Sequence, residues 1–216
     1  MAYTDMPNNE IEIKLDLQNE SNYRRLLDHF PEKTGGIRQE NHFFDTSDGK
    51  LGKSGWALRI RLADNVAELT AKGPSASHDR RIAIREEISQ IIPPQQLRKF
   101  LNEGFGLSEI SGEIPAALSG MVSNENLKSV VKFVNFRIDA PYSDGDQVFN
   151  LEIDRTVFPD SSIDYELELE LDSAAEFESS LSFLFNLLRS LAIPIRHQEK
   201  SKYERARLRF LKDNIV

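Results

Sequence analysis

Glu10-Ile11-Glu12-Ile13-Lys14 and, towards the other end of the chain, Glu166-Leu167-Glu168-Leu169-Glu170 are the stretches whose reading decides the fold. Successive side chains of a β-strand point to opposite faces, so each stretch sets charges on one face and aliphatics on the other. Carboxylates in a row on one face repel each other. Hard divalent cations such as Mg²⁺ or Mn²⁺, which are held by carboxylate oxygens, offset that repulsion most directly. Either stretch alone would equally suit the solvent face of a half-buried antiparallel sheet. The remainder of the chain separates the two readings.

Alternation of the same kind recurs at 57–62, 67–72, 81–88, 130–138, 148–157 and 164–171, which are predicted strands. Arg59 and Arg61 oppose Leu58, Ile60 and Leu62. Glu68, Thr70 and Lys72 oppose Leu69 and Ala71; Arg81, Arg85 and Glu87 oppose Ile82, Ile84 and Ile88; Glu152 and Asp154 oppose Leu151 and Ile153. Nearly every strand thus has a charged face and an aliphatic face. Helical spacing is found at 20–30, at 94–102, from Ser173 (with Glu176 completing a capping box) to a stop before Pro194, and at 201–212. Turns are expected at Gly35-Gly36, Ser47-Asp48-Gly49, Gly73-Pro74 and Asp144-Gly145. Parity alone permits an apolar-cored barrel with a charged skin. That arrangement would leave the long amphipathic helix after Ser173 with no apolar surface to cover. The expected fold is therefore mainly β: a closed antiparallel barrel with a charged interior and helices packed on its outside.

Composition narrows the function. The 216 residues are 29% charged and 39% hydrophobic, enough for a core, and are expected to form one domain over 1–216 with the C-terminal helices included. A net charge of −8 argues against a general nucleic-acid binder. No apolar run approaches the ~20 residues of a membrane helix, and the first residues do not read as a signal peptide. Cysteine is absent, which excludes disulfides and thiolate chemistry; with the lack of a leader it favours a cytoplasmic setting. Gly52-Lys53-Ser54 lacks the upstream glycine of a phosphate-binding loop and reads as a turn. His29, His42, His78 and His197 show no metal-ligand spacing.

The ordered set Glu10-x-Glu12-x-Lys14, Phe43-Phe44-Asp45-Thr46, Leu58-Arg59-Ile60-Arg61, Leu69-Thr70-Ala71-Lys72, Arg85-x-Glu87, Glu152-x-Asp154, Glu166-x-Glu168-x-Glu170 and Ser201-Lys202 resembles the CYTH domain, or triphosphate tunnel metalloenzyme, family over almost the whole chain. The resemblance implies an eight-stranded antiparallel tunnel whose basic residues hold a triphosphate and whose acidic residues hold Mg²⁺ or Mn²⁺. Carried over residue by residue, Lys14, Arg59, Arg61, Lys72, Arg85 and Lys202 are expected to bind substrate, and Glu10, Glu12, Asp154, Glu168 and Glu170 to bind metal. Glu87, Asp154 and Lys202 form the expected catalytic set. Two departures stand out. Ser89 occupies a position that is usually acidic, and the basic residue expected on 130–138 has two candidates of opposite parity, Lys132 and Arg137, of which Lys132 is assigned to the lumen. Replacing Glu168 by Gln is expected to abolish the metal-dependent activity at no cost to the fold.

Arg matches phosphate oxygens in bidentate fashion, so an arginine-lined lumen suits a phosphate chain. Trp56 has the parity of Leu58 and is expected to pack outside. Phe43, Phe44, Tyr165 and Tyr203 can reach the lumen, but none is a clear platform for an organic group, and the expected activity is metal-dependent hydrolysis of inorganic triphosphate to pyrophosphate and phosphate, closest in motif spelling to bacterial inorganic triphosphatases. The alternatives are a thiamine triphosphatase, an RNA triphosphatase, a class IV-type adenylate cyclase, or a non-catalytic polyphosphate- or nucleotide-binding module. The expected partner is a small-molecule triphosphate, with neither nucleic acid nor membrane; a homodimer stays open.

Overall fold

Eight strands close on themselves in the order β1-β5-β4-β3-β2-β6-β7-β8, and every neighbouring pair is antiparallel. The computed structural model describes residues 9–144 and 147–213. Its strands are β1 (Asn9–Asp16), β2 (Ile37–Asp45), β3 (Ala57–Ala63), β4 (Val66–Lys72), β5 (Ala83–Ile91), β6 (Lys128–Asp144), β7 (Gln147–Val157) and β8 (Ile163–Glu170). The helices are α1 (Glu20–His29), α2 (Lys50–Lys53), α3 (Pro94–Glu103), α4 (Ile114–Leu118), α5 (Phe177–Ser190) and α6 (Lys202–Asp213). The inside-out barrel expected from parity is what forms: charged side chains point into the lumen and aliphatics point out.

Two separate apolar cores lie outside the barrel wall. Ile11, Ile13 and Leu15 of β1, Leu151 and Ile153 of β7, and Leu167 and Leu169 of β8 are covered by Tyr23 and Leu26 of α1 and by Leu181, Leu184 and Leu188 of α5. On the far side, Leu58 and Ile60 of β3 and Leu69 and Ala71 of β4 meet Phe100 of α3 and Ile114 and Leu118 of α4, with Trp56 packed against the same cluster. Asn19 caps α1, its side chain accepting from the Asn22 backbone N–H at 3.0 Å. Ser173 caps a 3₁₀ turn over Ala174–Glu176 that runs into α5, so the helix proper starts later than the capping-box spacing suggested.

The alternation rule fails to find β2. Its sequence, Ile-Arg-Gln-Glu-Asn-His-Phe-Phe-Asp, is polar on both faces, because Gln39 and Asn41 face the lumen while Arg38, Glu40 and His42 face out. Asp45 at its end is structural: Oδ1 accepts from the backbone of Thr46 and Leu51, and Oδ2 from Gly52 at 3.0 Å, which fastens α2 to the strand. The expected turn at Gly52-Lys53-Ser54 is thus the end of a one-turn helix. β5 begins two residues later than expected, because Asp79 turns the chain by accepting from the Arg81 backbone N–H at 2.9 Å. Of the expected Asp144-Gly145 turn, Gly145 lies outside the described residues.

Leu184 is fully buried between α5 and the barrel wall, whereas Val148 is 74% exposed. Leu184→Ala should lower the unfolding free energy by about 2–5 kcal/mol, and Val148→Ala should change it by about 0.5 kcal/mol or less. Equilibrium urea denaturation of the two variants beside the parent measures both.

Candidate active site

A cavity of about 160 Å³ lies inside the barrel and is walled by three chemically distinct sectors. β1 and β8, with β7 beside them, contribute Glu10, Glu12, Glu152, Glu168 and Glu170; β5, β4 and β3 contribute Arg85, Lys72, Arg59 and Arg61; β2 and β6 contribute Gln39, Asn41, Phe43, Phe133 and Asn135. The sectors follow from register. Glu12 lies opposite Glu170, Glu152 opposite Glu168, and Arg61 opposite Asn41.

The acidic sector is held together by three cations. Lys202 Nζ lies 2.8 Å from Asp154, 3.1 Å from Glu166 and 2.7 Å from Glu168. Arg137 donates to both oxygens of Asp154, at 2.9 and 2.7 Å, and to Glu168 at 2.6 Å, and it also pairs with Glu152. Lys14 is 2.6 Å from Glu12 and 3.8 Å from Glu168. Burial alone would push the Glu168 carboxyl up, but Lys202, Lys14 and Arg137 together hold it well below the usual carboxylate range. Asp154 is likewise held down by Lys202 and Arg137 against its burial.

Helix α6 is fastened along this sector. Lys202, Arg205 and Arg209 recur at i, i+3 and i+7 on one helix face. They meet alternate residues of β8: Lys202 reaches Glu168, Arg205 reaches Glu166 at 2.6 Å, and Arg209 reaches Asp164 at 2.7 Å. Glu166 is therefore committed to α6. The basic stripe is visible in the sequence, but its partner became apparent only once β8 was placed.

The basic sector is under-compensated. Lys72 has Glu10 at 2.5 Å and Glu87 at 2.8 Å. Arg59, by contrast, has Glu68 only at 3.8 Å and the Thr70 hydroxyl at 3.3 Å. The Nε atoms of Arg59 and Arg85 are buried without hydrogen-bond partners. Burial, reinforced by Arg59 and Arg137, pushes the Arg61 guanidinium down to about 9. A cluster of this kind gains stability from an anion that accepts its donors. Ser89 adds no charge here, its hydroxyl lying 2.9 Å from that of Thr70.

Cation demand is found across the lumen. Glu10 Oε2 is buried and without a partner. Burial and neighbouring Glu10 raise the Glu170 carboxyl, and burial with Glu168, Glu170 and Asp154 pushes Glu152 up to about 8 in spite of Arg137. Among the described residues no three acidic or histidine side chains stand close enough together to form a ligand cluster as they are. The donor chemistry, carboxylates short of positive charge, fits a hard divalent ion.

Of the residues singled out in the sequence, Glu10, Glu12, Lys14, Arg59, Arg61, Lys72, Arg85, Glu87, Glu168, Glu170 and Lys202 border the one cavity. Asp154 does not: it is fully buried behind Arg137 and Lys202, with Asn135 donating to its Oδ1 at 2.8 Å. Lys132 needs correction. Phe133, Asn135 and Arg137 face in, so Lys132 has the outward parity and is exposed, and Arg137 is the lumen residue of β6. The reason for expecting Glu168→Gln to spare the fold, relief of like-charge repulsion, does not apply: Glu168 compensates three buried cations, and its neutralisation would leave them short of negative charge. Gln39, Asn41, Asn135 and Phe133 escaped notice because neutral side chains carry no charge-parity signal.

Glu152 gives a pH test. Below about 4.5 its carboxyl is protonated in both folded and unfolded chains; between there and about 8 only the unfolded chain releases the proton, so stability falls as pH rises through that window. Glu152→Gln removes this loss. Measured in EDTA, the melting temperature of Glu152→Gln relative to the parent should climb from about pH 5 to about pH 9, and a flat or falling difference would contradict the assignment.

The CYTH domain family model matches residues 8–206. No curated protein matches the chain. Among solved structures, the Hippeastrum protein HpAC1, an adenylyl cyclase candidate with a dominant triphosphatase activity, is 28% identical with a TM-score of 0.80, over 92% of this chain and 95% of its own. A candidate adenylate cyclase of Bacillus halodurans is 27% identical with a TM-score of 0.69, over 92% and 98% respectively. The PH1819 protein of Pyrococcus horikoshii, 19% identical with a TM-score of 0.59 over 95% of this chain and 99% of its own, shares the fold. With the family match running from the first strand into the last helix, and with the charged barrel in place, this chain belongs to the CYTH domain family.

Proposed function

We propose that the protein hydrolyses inorganic triphosphate to pyrophosphate and phosphate with the help of Mg²⁺ or Mn²⁺. The observation that carries this reading is the facing, across one cavity, of an under-compensated arginine sector, Arg59, Arg61 and Arg85, and a crowded carboxylate sector in which one oxygen of Glu10 has no partner and Glu152 and Glu170 are raised by burial and by neighbouring carboxylates. A polyphosphate satisfies the first sector and a divalent ion the second. The dominant triphosphatase activity described for HpAC1 supports it. The ion pairs between α6 and β8 support including the C-terminal helix in the same domain.

In this reading Arg59, Arg61, Arg85 and Lys72 bind and align the phosphate chain, and Lys14 and Lys202 supply donors from the opposite side. Glu10, Glu12, Glu168 and Glu170 would hold the ion, which would supply neutralisation of phosphate charge. Glu87 remains ionised because Lys72 offsets its burial, and it borders the basic sector, where it can accept a hydrogen bond from the attacking water. Asp154, sealed behind Arg137 and Lys202, positions those two cations instead of meeting substrate. The adenylyl cyclase assignments of the two structures above favour cyclisation of ATP as the second reading.

Phosphate release from tripolyphosphate, thiamine triphosphate and ATP, with cyclic AMP followed in parallel, separates these readings. Tripolyphosphate should be the best substrate, EDTA should abolish turnover, and Mg²⁺ or Mn²⁺ should restore it. Dominant cyclic AMP formation would overturn the proposal. Arg59→Ala should lower kcat/KM for triphosphate by roughly 10- to 100-fold, the worth of about 1.5–3 kcal/mol for a lost charge-assisted contact. Glu170→Gln should raise the metal concentration needed for half-maximal rate without lowering the melting temperature in EDTA, because Glu170 is in a repulsive setting.

A further inference from the structure

The charged lining of the lumen is interrupted at one place. Phe43 continues the inward parity of Gln39 and Asn41, and Phe133 that of Asn135 and Arg137, yet both are apolar and nearly fully buried. They are roofed by α6. Its basic face grips β8, while Tyr203 and Ala206 turn towards Phe43, Phe133 and Phe158 to make a small third core. The Phe43 and Tyr203 rings stack with centroids 4.5 Å apart and planes 12° apart, and Phe133 stacks against Phe43 at 5.5 Å and 27°. Phe158 closes on Phe133 at 5.6 Å.

Among the described residues, Phe43, Phe133 and Tyr203 are the rings that border the cavity. An organic group such as a nucleobase or thiazolium gains its binding energy from stacking on an open ring face or from filling apolar volume. Here Phe43 is stacked on by both Tyr203 and Phe133, and Tyr203 packs with Phe43 in the cluster that Ala57 lies against, at the wall of the cavity. A cavity of about 160 Å³ is also small beside the roughly 300–1,000 Å³ of sites that take drug-sized organic ligands.

We propose that the Phe43–Tyr203 stack is the specificity-determining element of the site: by occupying ring faces and volume at this end of the lumen, it restricts the ligand to a phosphate chain without an aromatic substituent. The inference rests on the reading of the lumen as a triphosphate site and adds which side chains set its selectivity. It also explains the position of the third core. Two phenylalanines pointing into a charged lumen cost little only if a helix covers them, and α6 is held over them by Lys202, Arg205 and Arg209.

Calorimetric titration in EDTA, where turnover is suppressed, tests the idea with tripolyphosphate, thiamine triphosphate and ATP. The parent should bind tripolyphosphate at least about tenfold more tightly than either organic triphosphate. Tyr203→Ala should reduce that preference by about tenfold through gained affinity for the organic ligands, and Tyr203→Phe, which keeps the ring, should behave as the parent. Phe43→Leu provides a second route should Tyr203→Ala loosen α6, and it should narrow the preference in the same direction. A parent that binds ATP or thiamine triphosphate as well as tripolyphosphate, or that binds none of them, overturns the proposal; so does a preference unchanged in both Tyr203→Ala and Phe43→Leu. Phosphate release by the same proteins in Mg²⁺ or Mn²⁺, without EDTA, separates the two levels. Selective binding without cleavage removes the hydrolase reading and keeps the selectivity element. Cleavage with an unmoved preference does the reverse.

Discussion

A carboxylate taken out of water must find positive charge nearby, and the barrel is organised around meeting that demand at Glu168. Its two oxygens are reached from three directions, by Lys14 on the adjacent strand, Arg137 two strands away and Lys202 on the C-terminal helix. Removing one partner of such a network leaves the others uncompensated, at a cost of about 3–5 kcal/mol for a buried pair. The register of β1 against β8, the inward turn of Arg137 and the docking of α6 are therefore mutually dependent. An error in any one strands a buried charge.

The same constraint explains the inverted architecture. With ionic groups filling the lumen, the apolar surface that drives collapse has to lie outside, and it does so as two belts, one under α1 and α5 and the other under α3 and α4. The lumen is free to be unbalanced because stability does not depend on filling it with hydrocarbon. That imbalance, cations on β3, β4 and β5 facing anions on β7, β8 and β1, is what the proposed binding of a triphosphate and a divalent ion rests on.

Much of this was legible from parity alone. Arg59, Arg61, Lys72, Arg85, Glu10, Glu12, Glu168 and Glu170 could be gathered into one lumen because charge alternating with aliphatic residues leaves a strand only one comfortable orientation. Where that contrast vanishes, so does the signal. β2 is polar on both faces, and Gln39 and Asn41 look no different from surface amides until their neighbours β3 and β6 are known. The choice between Lys132 and Arg137 turned on phase within a 17-residue strand, and phase is set by Phe133 and Asn135, whose inward placement goes against the usual reading of a phenylalanine as the outward, helix-covered side. Buried charge was also judged from one strand at a time. On β8 alone Glu168 looks repelled by its neighbours, and only the assembled barrel shows it surrounded by cations.

Closure of the barrel has a bearing on how the chain reaches this state. β1 lies between β5 and β8, and Asp16 finds its partner at Glu166 and Glu12 at Glu170. Within the barrel, β1 thus waits for β8, about 150 residues later in the chain. At ordinary rates of translation the delay is on the order of 10 s, during which Ile11, Ile13 and Leu15 have no partner strand on one side. Closure of the barrel is consequently governed by distant contacts, the regime in which β-rich chains fold slowly. The alternating carboxylates of β1 then act in a second capacity: by repelling their counterparts on other nascent chains, they protect an unpaired edge from joining the wrong sheet.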